Sequence, residues 1–431
     1  MRRKTAANRL LLIGVGAFVI FGVGCRRLPT TLVAEPIEVP APAGSVVPQV
    51  ITMTGGDVVL SWLEPRADKG FRFRAAIRRG ARWDDTVTID DSPAITMFSA
   101  DLPGIAKLPG GAWLAYWERA DTKDVDEPYS TAIQLARSVD EGRTWAPLPS
   151  PHRDGVSGMH SFLSAFVAGS ELGLVWLDAQ KQCHIHTPAV GAAVAKDEWL
   201  GAVGLRCASF GPDGQQQADT FIDPITCECC PTAAAVTTSG PVVVYRDRVA
   251  PPGAAPQDIR YETATVRDIS LVRLERGRWT EPRRVHADNW VINGCPDNGP
   301  AVDAHGNNVV VAWWTRAGDQ PKVYVAFSSN AGDRFREPIR VDNGKAEGQV
   351  SVAWTPDGRA AVVGWLEDHK VWARWVNAER RLGQPLVIGN SPPHSRLPRW
   401  VARNDGIFAV WTAQDGGGPR SVKATQLTMI D

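Results

Sequence analysis

One pattern recurs seven times along this chain and constrains what it can fold into: an apolar run that ends in Trp, or once in Tyr. The anchors are Trp62, Trp117, Trp176, Tyr245, Trp313, Trp365 and Trp411. Successive anchors lie about 46 to about 69 residues apart, the period of blade-type repeats. The runs before them, such as Leu172-Gly173-Leu174-Val175-Trp176 and Val309-Val310-Val311-Ala312-Trp313, are apolar on consecutive positions. Such runs read as strands covered on both faces. No long segment beyond the N-terminus has helical periodicity. The expected fold is therefore all-β: a β-propeller of four-stranded blades, seven from the anchor count, with six as the alternative because the repeat at about 160–222 is irregular.

One blade can be traced in full. Gly299–Asp303 reads as the inner strand, Val309–Trp314 as the second, Lys322–Ser328 as the third and Glu337–Val341 as the outer strand. The outer strand carries Glu-Pro or Gln-Pro, also at Glu281-Pro282 and Gln384-Pro385, and proline is tolerated on a free sheet edge. Glu35-Pro36-Ile37-Glu38-Val39 repeats this strand with no inner strands before it, and the last repeat stops after its third strand. Residues 34–39 are thus expected to complete the C-terminal blade and close the ring.

Ahead of the repeats, Met1-Arg2-Arg3-Lys4 is basic, 10–23 is apolar, and Gly22-Val23-Gly24 precedes Cys25. This is the layout of a bacterial export signal, and the small residues before Cys25 resemble a lipoprotein cleavage box. The expected organisation is a signal peptide over 1–25 with Cys25 lipidated, a Pro- and Ala-rich tether over 26–47 containing the closing strand, and the propeller over 48–431. Either lipidation or an uncleaved anchor puts the propeller outside the cytoplasm and on a membrane. Lys plus Arg equal Asp plus Glu at 47 each, with no basic stripe, so nucleic acid is not an expected partner.

Ser138-Val139-Asp140-Glu141-Gly142-Arg143-Thr144-Trp145 fits the pattern Ser-x-Asp-x-Gly-x-Thr-Trp at Ser138, Asp140, Gly142, Thr144 and Trp145, and Ser328–Phe335 is a degenerate copy. On these residues the chain resembles the sialidase-like, Asp-box β-propeller superfamily over about 31–428. In that superfamily the motif is a structural turn. The resemblance implies exo-sialidase chemistry, which needs an arginine triad, a Tyr nucleophile with a Glu partner, and an Asp acid/base. The Arg-Ile-Pro motif that usually carries the first arginine is absent, and the first blade offers Phe71-Arg72-Phe73-Arg74 in its third strand. Only five tyrosines exist, and Tyr116, Tyr245 and Tyr324 read as strand packing. Cys227-Glu228-Cys229-Cys230-Pro231-Thr232, Tyr245-Arg246-Asp247-Arg248 and Asn293-Gly294-Cys295-Pro296 resemble a subgroup of bacterial secreted propellers, a likeness that brings no activity with it.

The functional address is the channel mouth. Cys227, Cys229 and Cys230 precede the inner strand of blade four, and Cys295 precedes that of blade five, so blade geometry brings them together. Three chemistries fit. An exported chain with six cysteines beyond Cys25 favours disulfides, including Cys183 with Cys207 and Cys295 with one of the cluster. Clustered thiolates would alternatively hold copper or zinc. A redox-active pair is the third reading. His160 and His394 enter blades three and seven, and His184 with His186 resembles a small metal motif. Glu118, Asp178 and Asp247 follow the anchors, as do Arg246, Arg248 and Arg316, and their loops are expected on the same face. Such a ring would bind a charged ligand or run acid/base hydrolysis, with Asp247, Arg246, Arg248 and Glu118 as catalytic candidates. Local pairing that holds the ring together is the simpler role. Asp247 between two arginines is expected to stay ionised. The leading functional expectation is a membrane-anchored, non-hydrolytic ligand- or metal-binding scaffold for a glycan or envelope protein. A glycoside hydrolase and a metal-handling or redox protein are the alternatives.

Overall fold

The computed structural model describes residues 31–53, 55–68, 70–92, 95, 103–108, 110–120, 130–152, 158–179, 203–249, 264–392, 395 and 398–430. Seven antiparallel sheets follow one another along the chain as the blades of a propeller. Their inner strands are Val46–Thr52, Gly104–Lys107, His160–Ala168, Ala233–Thr237, Ala301–His305, Ala346–Trp354 and Arg399–Arg403. The blade traced from sequence keeps its order, with Ala301–His305, Asn308–Thr315, Lys322–Ser328 and the short outer strand Ile339–Arg340. The irregular repeat is a complete blade three, running from His160–Ala168 to Gln216–Thr226. The expectation of seven blades is borne out.

So is the closure. Thr31–Ile37 is the outer strand of blade seven and pairs antiparallel with Arg420–Ile430, from Thr31 opposite Ile430 to Ile37 opposite Ala424. The strand begins three residues before the expected position, because Thr31, Leu32 and Val33 pair as well and Leu32 is buried. The Glu-Pro pattern marked its end rather than its start.

The continuous apolar runs have their cause in the packing. Each sheet is covered on both faces, and a buried cluster fills every gap around the ring. Trp62, Leu60 and Val58 of blade one, for example, pack against Phe408, Val410 and Val422 of blade seven, which closes the circle. Each such aliphatic side chain contributes roughly 1.5–3 kcal/mol on burial.

The anchors also bury a polar N–H or O–H, and most give it a carboxylate. Trp117 donates to Asp90, Trp176 to Asp178, Trp313 to Asp288 and Trp365 to Glu367, each at 2.7 Å, and Tyr245 donates to Asp223 at 2.5 Å. The Ser138–Trp145 turn joins the third and outer strands of blade two. Asp140 accepts from the Thr144 amide at 2.9 Å and hydroxyl at 2.6 Å, and the Ser138 hydroxyl donates to it at 2.7 Å. Those bonds, led by the Thr144 hydroxyl, hold the Asp140 carboxyl down at about 2. Asn330 builds the same cage in the degenerate copy.

Candidate functional site

The loop entering blade four carries Cys227, Glu228, Cys229 and Cys230, and the loop entering blade five carries Cys295. Gly299 brings the loops together: a Cβ there would stand 2.1 Å from the Pro231 carbonyl oxygen. Cys229 and Cys295 form a disulfide across the two blades, with Cα atoms 6.0 Å apart. Cys227 and Cys230 are buried free thiols with their sulfurs 3.1 Å apart, and Cys227 Sγ lies 3.8 Å from Cys229 Sγ. The cluster therefore divides into a disulfide and a dithiol. In this state Cys229 and Cys295 are bonded to each other, so the four do not act together as thiolate donors to copper or zinc.

Three buried guanidiniums surround the thiols. Arg246 donates to the carbonyls of Asn298 at 2.8 Å, Arg267 at 2.6 Å and Trp314 at 2.7 Å, and lies over the Trp290 ring at 5.1 Å. Arg248 and Arg267 both reach Glu228, at 3.4 and 3.1 Å. Burial pushes the Cys227 thiol up, but its hydrogen bond with Cys230 and the charges of Arg267 and Arg246 outweigh it and hold it below its ordinary value. Burial and the neighbouring Cys227 push Cys230 the other way.

Asp247 departs from expectation. Its flanking arginines point to other partners, and its own oxygens accept from the Arg248 amide at 2.6 Å and the Ser270 hydroxyl at 2.6 Å. Burial, with Asp223 nearby, pushes its carboxyl up to about 6. Adjacency in sequence did not become an ion pair, because backbone carbonyls and Glu228 took the guanidiniums.

The other predicted residues sit in separate local networks. Glu118 accepts from the Phe162 amide at 3.1 Å. His160 is buried, stacks on His152 at 3.8 Å between centroids, and places Nδ1 3.0 Å from the Thr131 carbonyl. Its Nε2 is 4.0 Å from Asp178, which also faces Arg206 at 3.6 Å. Arg316 is exposed. Cys25, Cys183, His184, His186 and His394 lie outside the described residues.

The central channel holds residues that the sequence reading missed. A cavity of about 430 Å³ is lined by inner-strand residues of several blades together with Tyr116 and Arg399. Tyr116 belongs to a second strand but lies across Gly104 of the inner strand, where a Cβ would come within 2.3 Å of its hydroxyl. Arg399 opens the inner strand of blade seven. Its Nε is sealed from solvent and has no hydrogen-bond partner among the described residues, and the same holds for Gln49 Nε2 and Trp400 Nε1 on the same wall. Burial lowers Arg399 to about 10 and raises Tyr116 to about 12, so at neutral pH one is a cation and the other a hydroxyl donor. Asp303 lines the cavity too, and burial raises it to about 6, but each of its oxygens already accepts a 2.8 Å bond, from the Ala304 and Trp354 amides. A larger cavity of about 790 Å³ lies between blades one and two beside the Ser138–Trp145 turn. There Arg79 is already paired with Asp57, Asp84 and Glu141.

No family model and no curated protein matches this chain. Its fold is shared with solved propellers. A PL25 ulvan lyase bound to -[GlcA(1-4)Rha3S]- superposes with a TM-score of 0.57 at 10% identity, covering 92% of this chain and 96% of the lyase. A protein of unknown function from Dyadobacter fermentans gives 0.50 at 15% identity, covering 92% and 99%. The Trypanosoma rangeli sialidase gives 0.42 at 13% identity, covering 90% and 60%. These likenesses show the propeller fold alone.

Proposed function

We propose that this chain is a membrane-anchored, extracytoplasmic propeller that binds an anionic ligand in its central channel without hydrolysing it. The observation that carries this reading is Arg399, a half-buried cation in a 430 Å³ cavity with an unpartnered Nε. A buried donor without a partner is costly, and the positive charge of the same guanidinium favours an anion beside it. Tyr116 on the same wall adds a hydroxyl donor. The cavity has the size of a small-ligand site. An acidic saccharide bearing carboxylate or sulfate fits this chemistry, and the ulvan lyase of similar fold binds such a chain.

Arg246, Arg248 and Asp247 are buried and committed to other partners, and both Asp303 oxygens are held by amides. That arrangement supports binding over acid/base turnover. The Cys229–Cys295 disulfide is in keeping with an oxidising compartment, and the Cys25 motif supplies the anchor.

Calorimetric titration with glucuronate, N-acetylneuraminate, a sulfated disaccharide and inorganic sulfate tests the reading. Saturable binding of at least one anion, weakened at least about tenfold in Arg399→Met, is expected. Turnover of a fluorogenic sialoside would overturn the non-hydrolytic part. Equal binding by Arg399→Met would overturn the channel. Mass spectrometry of the membrane fraction is expected to find acyl chains on Cys25, and a free thiol there would remove the lipid anchor.

A further inference from the structure

The four cysteines at the mouth of blades four and five are not used by the channel, and their arrangement is that of a reaction. Two thiols lie 3.1 Å apart in the interior, and one of them, Cys227, faces a disulfide sulfur at 3.8 Å. That disulfide leads outward, from half-buried Cys229 to exposed Cys295. Cys295 lines an open groove of about 620 Å³ with Trp290, Trp314 and Arg316, which gives a partner access to its sulfur. We propose that Cys227, Cys229, Cys230 and Cys295 form a thiol–disulfide relay that passes electrons from the buried pair to an external disulfide at Cys295.

Each step is an exchange through a mixed disulfide. The Cys227 thiolate attacks Cys229 Sγ. The Cys227–Cys229 bond forms, the Cys229–Cys295 bond breaks, and Cys295 leaves as a thiolate. Cys230 then attacks Cys227 and expels Cys229, which takes up the proton that Cys230 gives up. The net change moves one disulfide from Cys229–Cys295 to Cys227–Cys230 with no oxidant consumed. Cys295 next attacks an external disulfide, forms a mixed disulfide and releases one thiol. Cys229 attacks Cys295 and releases the second. The external disulfide is reduced by two electrons, and the chain ends with both pairs oxidised.

The surroundings favour the first step. Its hydrogen bond with Cys230 and the charges of Arg267 and Arg246 lower the Cys227 thiol below its ordinary value against the effect of burial, which favours its nucleophilic form. Cys207 is a useful contrast: it is a buried free thiol whose burial raises it to about 12. It is expected to stay inert.

The test uses the folded full chain without reductant. Incubation with oxidised glutathione is expected to release two equivalents of glutathione and leave both pairs as disulfides on peptide mapping. Iodoacetamide alone is expected to trap Cys229 and Cys295, with a disulfide between Cys227 and Cys230. In Cys227→Ser neither is trapped and no glutathione is released. Cys230→Ser keeps the attacking thiol but stops at Cys227–Cys229, so it reads the first step if the other variant fails to fold. A folded wild-type chain that retains Cys229–Cys295, releases no glutathione and resists alkylation at both positions would overturn the relay.

Discussion

The mouth of blade four and the wall of the central channel both take arginines out of water, and they treat them in opposite ways. Arg246 spends its donors on three backbone carbonyls, those of Asn298, Arg267 and Trp314, and so ties blade four to blade five. Arg399 holds a charge of the same sign with its Nε idle. A saturated buried arginine is a fastener. An unsaturated one in a cavity is a place for something else. Had burial alone been the guide, Arg246 would have been taken for the ligand site; its saturated donors and the cavity beside Arg399 move the site to Arg399.

The comparison breaks or sharpens under substitution. Arg246→Met should cost at least about 3 kcal/mol in urea unfolding, because three carbonyls lose their donor at once. An unchanged midpoint would show that Arg246 is no fastener.

Asp247 gives the next effect. Its carboxyl stands at about 6 in the folded chain against an ordinary 3.8. The folded state therefore holds the extra proton, and this contribution is fully present below about pH 4 and lost as pH rises through about 6. Wild type should lose up to about 3 kcal/mol across that window relative to Asp247→Asn. Parallel stability curves would mean that an arginine neutralises Asp247 after all.

Arg399→Met should leave stability unchanged or raise it, while anion affinity falls about 10- to 100-fold. Destabilisation with affinity intact would make it a second fastener. Tyr116→Phe is the mildest change, removing one hydroxyl donor, and should weaken binding about fivefold at about 1 kcal/mol, with stability unaltered.

Much of the fold was legible. Trp anchors at blade spacing and a stray Glu-Pro strand suffice for seven blades and their closure, because both are local patterns repeated along the chain. The nearness of Cys295 to the cysteine cluster was legible too, since equivalent positions in neighbouring blades are neighbours in space. Which cysteine pairs with which was not. Cys227 and Cys230 stand three apart, yet their contact and the outward turn of Cys229 depend on side-chain directions in an irregular loop. The channel wall was hidden for a related reason. Tyr116 reads as packing until Gly104 is placed opposite it, and that pairing is a register. Arg399 reads like any other strand arginine, and neither its place on the channel wall nor its idle Nε leaves a mark in a sequence.

The most direct measurement is a crystal structure of the chain soaked with whichever acidic saccharide binds in calorimetry. The account predicts the carboxylate or sulfate oxygens within hydrogen-bond distance of the Arg399 guanidinium and the Tyr116 hydroxyl. A saccharide seated elsewhere, away from the Arg399 guanidinium, would contradict it.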